Sequence, residues 1–479
     1  LFYIKSIGGK LMNKNKGITL IALVVTIVAL LILAGVSINL VIGNNGIITM
    51  AQKAKEKTED ARKTEENNLK DSELYIKEST GKKVYSLGET PKLMDNPPTI
   101  TNVGSSPTIE NYTFIKAISN NSTGEVNNVF TSFNANLVQA NKYYPKYDDI
   151  VGLNNLYSAS TTASNFYSIE FSINCQEFEL KTRYTGTNYY RILVDEGNGY
   201  EFTSELGMQE SEQEGTVDAV YYYNISFAEK KDRNIKIELR GLFSGICISS
   251  DDSINKIKRN ANPTAVFIGS SITESTAGNT SAYLGYPNVI CSKLGLECIN
   301  NGVGSTGYLA TANNTRYKYY DRLQYSIIER QPDIAIIEGG INDIGYDTDA
   351  IIEEADKCFK KIINECPNTK LIIIGVFWPK GTEYINDQVL KLNTELRKLA
   401  LSNNLPFIDF ITGDTIAEDG TVITSGTNSY ITGNGCVGNE QHNGNADIYI
   451  ASDRTHLTKE GHKYIGNKLA EEFVKILNY

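Results

Sequence analysis

The residues best able to do chemistry in this chain fall into four short stretches. They are Gly269-Ser270-Ser271-Ile272-Thr273, the run Asn300 to Gly307 (NNGVGSTG), Gly340-Ile341-Asn342-Asp343, and Asp453-Arg454-Thr455-His456. A serine hydroxyl is a weak nucleophile until an imidazole takes its proton, and the imidazole needs an acceptor on its other nitrogen to fix its tautomer. Asp453 and His456, close enough to share one turn, can supply that pair. The tetrahedral intermediate of acyl transfer then needs donors for its oxyanion, each worth about 2.7–4 kcal/mol. The Ser271 N–H, the Gly304 N–H in the glycine-rich run and the Asn342 side-chain amide are the candidates. Ser270 and Ser271 both remain open as nucleophile on this reading.

These stretches must be brought together by the elements around them. From residue 263 onward, apolar runs alternate with helical periodicity, which predicts strands near 264–270, 297–303, 333–339, 370–377 and 405–410. Helices are expected near 283–295, 316–330, 348–364, 384–402 and 458–477. Such alternation means βαβ units, and hence a flavodoxin-like three-layer α/β domain with a parallel sheet, over 259–479. In that architecture ligands bind beyond the carboxyl ends of the strands. Three of the four stretches follow predicted strands, and the fourth precedes the last helix.

The four stretches, in this order, resemble the SGNH or GDSL hydrolase superfamily, over about Ala265 to Leu477. The resemblance implies that Ser271 is the nucleophile, Gly304 and Asn342 are oxyanion donors beside the Ser271 N–H, His456 is the general base and Asp453 orients it. The register Gly-x-Ser-x-Thr is what selects Ser271 over Ser270. The family usually has aspartate before the nucleophile, where this chain has Ser270. His442 and His462 are read as loop and helix-surface residues, and Trp378 as either lining the pocket or capping the sheet.

Upstream, 108–258 loses the helical period and shows short alternating runs, including 167–173, 178–184, 188–197, 220–227 and 234–241, with Gly197-Asn198-Gly199 as a hairpin signal. An antiparallel, jelly-roll-like β-sandwich is predicted there. Its tyrosines, among them Tyr143, Tyr144, Tyr221, Tyr222 and Tyr223, either form a surface able to stack on sugars or are simply divided between the core and the surface. A sandwich preceding such a hydrolase resembles the two-domain carbohydrate esterases, which implies an O-acetylated polysaccharide as substrate.

Residues 18–42 carry no charge, long enough as a helix to exceed a hydrocarbon layer of about 30 Å. Lys5, Lys10, Lys14 and Lys16 precede them, so a single-pass transmembrane helix with the carboxy-terminal domains outside the cell is expected. Lys16 to Val25 (KGITLIALVV) resembles the type IV prepilin leader, which implies cleavage after Gly17, pilin-like assembly partners, and a 1–17 leader; Ala22 stands where pilins usually carry glutamate. The chain opens on Leu1, and Met12 is read as the start. A charged helical stalk continues to residue 80, and 81–107 reads as a linker.

The formal net charge of −10, with no basic block beyond the first residues, excludes a nucleic-acid partner. Seven scattered cysteines and three histidines give no metal-ligand spacing, so no metal or cofactor is expected; Cys291 and Cys298 could pair in an oxidising compartment. The expectation is a surface-anchored serine esterase acting on acetylated carbohydrate. The alternatives are a pilin-like adhesion module with an inactive hydrolase-like domain, or a GDSL lipase or thioesterase for other acyl groups.

Overall fold

The computed structural model describes residues 25–31, positions 53, 55, 57 and 58, and the chain from 84 on except 121–124, 133–136, 140–150, 154–165, 184–187, 206, 211–218, 241, 276, 278–281 and 313–315. Residues 1–84 and 85–479 are two separate units. In the first, 25–31 are helical; the leader, most of the expected anchor and most of the stalk lie outside the described residues. Among the described residues no helix is long and apolar enough to cross a membrane.

The second unit has a mixed, sheet-rich α/β fold. Its antiparallel part contains β1 (Thr99–Gly104), β2 (Tyr112–Lys116), β3 (Phe166–Arg183), β4 (Asn188–Asp195), β5 (Val220–Arg240) and β6 (Leu242–Ser249). Two features differ from the sequence expectation. Residues 99–104, read as linker, pair antiparallel with 222–226 just after Pro97-Pro98. The runs 167–173 and 178–184 are one 18-residue strand, and 220–227 and 234–241 belong to one 21-residue strand. No glycine or proline interrupts either junction, so each strand continues through an irregularity, Ser226 to Lys231 in one facing Cys175 to Glu177 in the other, rather than ending in a turn.

That bend divides the pairing in two. Residues 231–240 pair with 166–175 on one side and, over 234–240, with β4 on the other, whereas 177–183 and 220–226 pair with each other, 178–183 with β6 and 222–226 with β1. Side chains from both halves, such as Phe171 and Ile237 with Phe178 and Ile225, fill one apolar core. The hairpin at Gly197-Asn198-Gly199 is present: Asp195 Oδ1 accepts from both glycine N–H groups at 2.8 and 2.9 Å. Tyr222 and Tyr223 are buried, Tyr221 packs against the same core, and Tyr143 and Tyr144 lie outside the described residues.

The parallel part is built on β7 (Thr264–Gly269), β8 (Glu297–Gly302), β9 (Ile334–Glu338), β10 (Lys370–Ile374) and β11 (Phe407–Ile408). Their spatial order is β8-β7-β9-β10-β11, all parallel. Both faces are apolar because successive strand side chains point to opposite sides. Ala265 and Phe267 enter a core with Ile290, Leu469 and Phe473, whereas Val266 and Ile268 enter another with Phe359, Leu392 and Leu396. Each such fully buried large side chain contributes about 1.5–3 kcal/mol.

The helices include α1 (Ser271–Glu274), α2 (Tyr286–Leu294), α3 (Tyr319–Leu323), α4 (Thr348–Glu365), α5 (Asp387–Ser402) and α6 (Lys459–Asn478), with a further short turn of helix at Ala446–Tyr449. α4, α5 and α6 start where Asp347, Asn386 and Thr458 cap them by accepting a backbone N–H. α3 is shorter than expected and passes into a π-turn over Gln324–Ile328. One expectation is overturned outright: His462 is not on the surface but is 1 % exposed, stacked on Tyr286, with Nδ1 accepting the Tyr286 N–H at 3.3 Å. It serves the start of α2, whose capping residue, Gly285, has no side chain to offer.

A buried ionic cluster ties the two parts together. Arg259 Nη2 lies 2.6 Å from Glu170 Oε1 in the antiparallel part and 2.5 Å from Glu297 Oε1 in the parallel part, with Lys236 Nζ 3.3 Å from Glu297 Oε2. Burial favours the neutral acid, but Lys236 and Arg259 together hold the Glu297 carboxyl below its ordinary range. All seven cysteines, Cys291 and Cys298 included, are free thiols and buried.

Candidate active site

The β7 strand ends at Gly269, and Ser270 turns the chain into α1. Ser270 is extended (φ −85°, ψ −159°), and its Oγ accepts the Ile272 N–H at 3.2 Å, so it is the helix cap. Its N–H donates to Glu338 Oε2 at 3.3 Å, and Thr273 Oγ1 donates to the same oxygen at 2.8 Å. Glu338, at the end of β9, is 2 % exposed, and burial raises its carboxyl pKa. A carboxyl group therefore supports this turn from the neighbouring strand, through Ser270 and Thr273.

Capping leaves Ser271 at the start of α1 with its side chain facing outward. Ser271 Oγ is 2.8 Å from His456 Nε2, and His456 Nδ1 is 2.7 Å from Asp453 Oδ2. A carboxylate only accepts, so Nδ1 carries the proton and Nε2 of the neutral ring accepts from the serine hydroxyl. The loop that presents the pair is fixed by its own backbone. Asp453 Oδ1 accepts the N–H groups of Thr455 and His456, both at 3.0 Å, and Arg454 sits in the left-handed region at φ 64°. Burial would raise the Asp453 carboxyl, but these N–H groups and the His456 ring outweigh it and hold the group below the usual carboxylate range.

Asn342 stands on the turn after β9, with Nδ2 donating to Thr306 O at 3.0 Å, so the amide bridges to the 300–307 run and keeps a second hydrogen. Its neighbour Asp343 is spent structurally: it accepts the N–H groups of Tyr308, Leu309 and Ala310 at 2.8–2.9 Å. The structure thus gathers Ser271, His456, Asp453, Asn342 and the 303–306 loop at the carboxyl end of the sheet, around β7 and β9.

Gly304 is close by but differently used. Its N–H, expected to serve the oxyanion, donates instead to Glu274 Oε2 at 2.6 Å. The Glu274 side chain is anchored through Oε1 by Arg240 Nη2 at 3.1 Å, from the last residue of β5 in the sandwich. A Cβ on Gly304 would fall 2.9 Å from that carboxylate and 3.1 Å from Arg316 Nη1, so both side chains would have to shift to admit one. Among the described residues, the N–H groups of Ser271, Ser305 and Thr306 meet no acceptor. Thr306 is wholly buried, whereas Ser305 is exposed and held at φ 62°.

Sequence reasoning missed Glu274, Glu338, Arg240 and Arg316. The signal for Glu274 was its place one turn after the nucleophile; nothing in sequence pairs it with a residue in the sandwich. His442 is an exposed loop residue, and Trp378 packs half-buried against the core that holds Val376 and Leu392. Two cavities, of about 460 and about 380 Å³, lie beside residues 89–93 and α2, and neither is lined by a triad residue. Among the described residues no cluster could hold a metal ion.

No curated protein matches this chain. Its fold is similar to that of an active-site mutant of a family two carbohydrate esterase from Clostridium thermocellum, at 12 % identity and TM-score 0.50, over 72 % of this chain and 98 % of that one. It is also similar to a family two carbohydrate esterase from Cellvibrio japonicus, at 11 % identity and TM-score 0.50, over 77 % and 98 % of the two chains. Residues 267–464 match the GDSL-like Lipase/Acylhydrolase family, within which all five expected site residues fall. With that match and a serine–histidine pair in hydrogen-bond contact, the chain is a carboxylic ester hydrolase, similar over residues 267–464 to the GDSL-like Lipase/Acylhydrolase family.

Proposed function

We propose that this protein is a serine esterase that removes O-acetyl groups from polysaccharide, tethered to the cell surface by its apolar amino-terminal segment. The observation that carries the chemistry is the unbroken chain from Ser271 Oγ through the His456 ring to Asp453, at 2.8 and 2.7 Å. In this reading Ser271 Oγ attacks the acyl carbon while its proton moves to His456 Nε2, and Asp453 stabilises the imidazolium. His456 then protonates the departing sugar oxygen, leaving an acyl-serine. Water attacks that ester, giving its proton to His456, which returns it to Ser271 Oγ as the acyl–oxygen bond breaks and the acid leaves. The oxyanion donors are the Ser271 N–H, the Asn342 amide and the Ser305 N–H, which takes the part that Gly304 was expected to play.

The substrate class is supported by three observations. Two structures of similar fold are family two carbohydrate esterases, and each is covered to 98 % of its own length. The Asp453 side chain is 46 % exposed, so the site opens to solvent, as a polymer substrate requires. The stretch 411–452 before the Asp453 loop is polar and glycine-rich in sequence, which favours a short acyl group over a lipid chain. The test is acetate release from a panel of acetylated glycans against p-nitrophenyl esters of increasing chain length. Release from glycans, with rates falling beyond short acyl chains, is expected; a preference for long chains and no acetate release would reject the reading.

The anchoring is proposed from residues 18–42 and the lysines before them. The prepilin-like leader makes cleavage after Gly17 and pilin-like partners part of the same proposal. Surface proteolysis of intact cells should release the 85–479 unit if this is right, and fail to do so if the chain is internal.

A further inference from the structure

The loop 303–306 is pinned almost atom by atom. The Val303 N–H donates to Gly269 O at 3.0 Å, and Thr306 Oγ1 donates to Val303 O at 2.7 Å. Gly304 is held at both of its peptide groups: Glu274 Oε2 takes its N–H at 2.6 Å, and Arg316 Nη1 donates to its carbonyl at 3.0 Å. That carbonyl belongs to the same rigid plane as the Ser305 N–H, and in a trans peptide the two point in opposite directions. Fixing the carbonyl therefore fixes the direction of the Ser305 N–H. Glu274 is itself fixed from outside the hydrolase part. Arg240, with only 12 % of its side chain exposed, lies 3.1 Å from Glu274 Oε1, with the Tyr189 ring 5.9 Å from its guanidinium.

We propose that Glu274 and Arg316, with Arg240 of the sandwich behind Glu274, are positioning residues that clamp the two peptide groups of Gly304 and thereby aim the Ser305 N–H at the oxyanion formed on Ser271. This rests on the serine-esterase reading above. It makes the sandwich part of the active site, because a residue at the end of its longest strand sets a catalytic donor. Glu274 and Arg240 do not touch the reacting atoms; they act through the loop. A loosened loop would bind substrate unchanged and stabilise the transition state less, so the loss should fall on kcat.

The experiment measures kcat and KM for p-nitrophenyl acetate, with thermal melts, on the full chain and on Glu274→Ala, Glu274→Gln, Arg316→Met, Arg240→Met and Arg240→Lys. Glu274→Ala and Arg316→Met should each lower kcat by about 10- to 100-fold with KM within about twofold, as expected for a misaimed donor. Glu274→Gln, whose amide oxygen still accepts from the Gly304 N–H, should stay within about threefold of the parent, and Arg240→Lys should recover part of the Arg240→Met loss. A rise in KM at constant kcat would make Glu274 a substrate contact and overturn the clamp. So would parental kcat in Glu274→Ala, or Glu274→Gln as impaired as Glu274→Ala. Should Glu274→Ala fail to fold, Arg316→Met, at a half-buried position, asks the same question from the other peptide group. Ser271→Ala separates the two levels: if it keeps the parental rate the esterase reading fails, whereas an inactive Ser271→Ala beside fully active clamp variants rejects the clamp alone.

Discussion

His456 Nε2 stands 2.8 Å from Ser271 Oγ although 185 residues separate them in the chain. The contact exists because the cap at Ser270 turns one side chain outward at the end of β7, while Asp453 holds the loop before α6 by its backbone N–H groups. Replacing His456 by Gln should lower kcat for p-nitrophenyl acetate by about 10⁴-fold or more, the scale of a lost general base in such a triad. Asp453→Asn should cost less, about 10- to 10³-fold, because water can serve an imidazolium beside a group this exposed. Steady-state rates on purified variants check both.

Two neighbouring glycines should separate activity from stability. At Gly302 a Cβ would lie 2.2 Å from the Glu274 backbone N, which cannot move without displacing α1. Gly302→Ala should therefore destabilise the fold by about 2–4 kcal/mol in denaturant titrations. At Gly304 the obstacles are the ends of two side chains, the Glu274 carboxylate and the Arg316 guanidinium, so Gly304→Ala should lower kcat by more than 10-fold, the scale of a displaced oxyanion donor, with a smaller change in melting temperature.

The buried His462 predicts how stability responds to acid. Burial pushes its imidazole down to about 3, from a value near 6.5 for an exposed ring. A depressed folded-state pKa means that the stabilisation is complete above about pH 6.5 and is lost as pH falls from there towards about 3. Unfolding free energy should drop by about 1.4 kcal/mol per pH unit from this group in that window. His462→Gln, which can still accept the Tyr286 N–H, should flatten that slope relative to the parent; an unchanged slope would place the acid sensitivity elsewhere.

The charge cluster between the two parts should tolerate deletion poorly. Arg259→Met leaves Glu170 and Glu297, each at most 1 % exposed, with Lys236 as their remaining cation in the cluster. A loss of about 3–5 kcal/mol is expected, the range for stranding a buried charge. Urea unfolding of Arg259→Met against the parent measures it.

How much of this was legible in the sequence follows from what each feature depends on. The strands and helices of the parallel part were readable because apolar runs buried on both faces alternate with amphipathic stretches whose caps, Asp347, Asn386 and Thr458, are local. Ser271, Asn342, Asp453 and His456 were readable because each sits at an element boundary in a short motif. The two long bent strands were not, since a bend without glycine or proline looks like a gap between strands. His462 was misplaced because α6 turns that position towards Tyr286, a contact 176 residues away. The use of Gly304 by Glu274, and of Glu274 by Arg240, was hidden for the same reason: both depend on long-range contacts that no local pattern encodes. Ser270 shows both sides, for its capping role is local while its carboxyl partner, Glu338, lies on another strand.

The central claim is that the Ser271 hydroxyl forms the acyl-enzyme. Its most direct test is the hydrolysis rate of p-nitrophenyl acetate by the full chain and by Ser271→Ala, with rapid acid quench to locate the acetylated peptide. The account predicts an acetyl group on Ser271 in the parent and a rate lower by about 10⁴-fold or more in the variant. Equal rates in the two proteins, or an acetyl group trapped on another side chain, would contradict it.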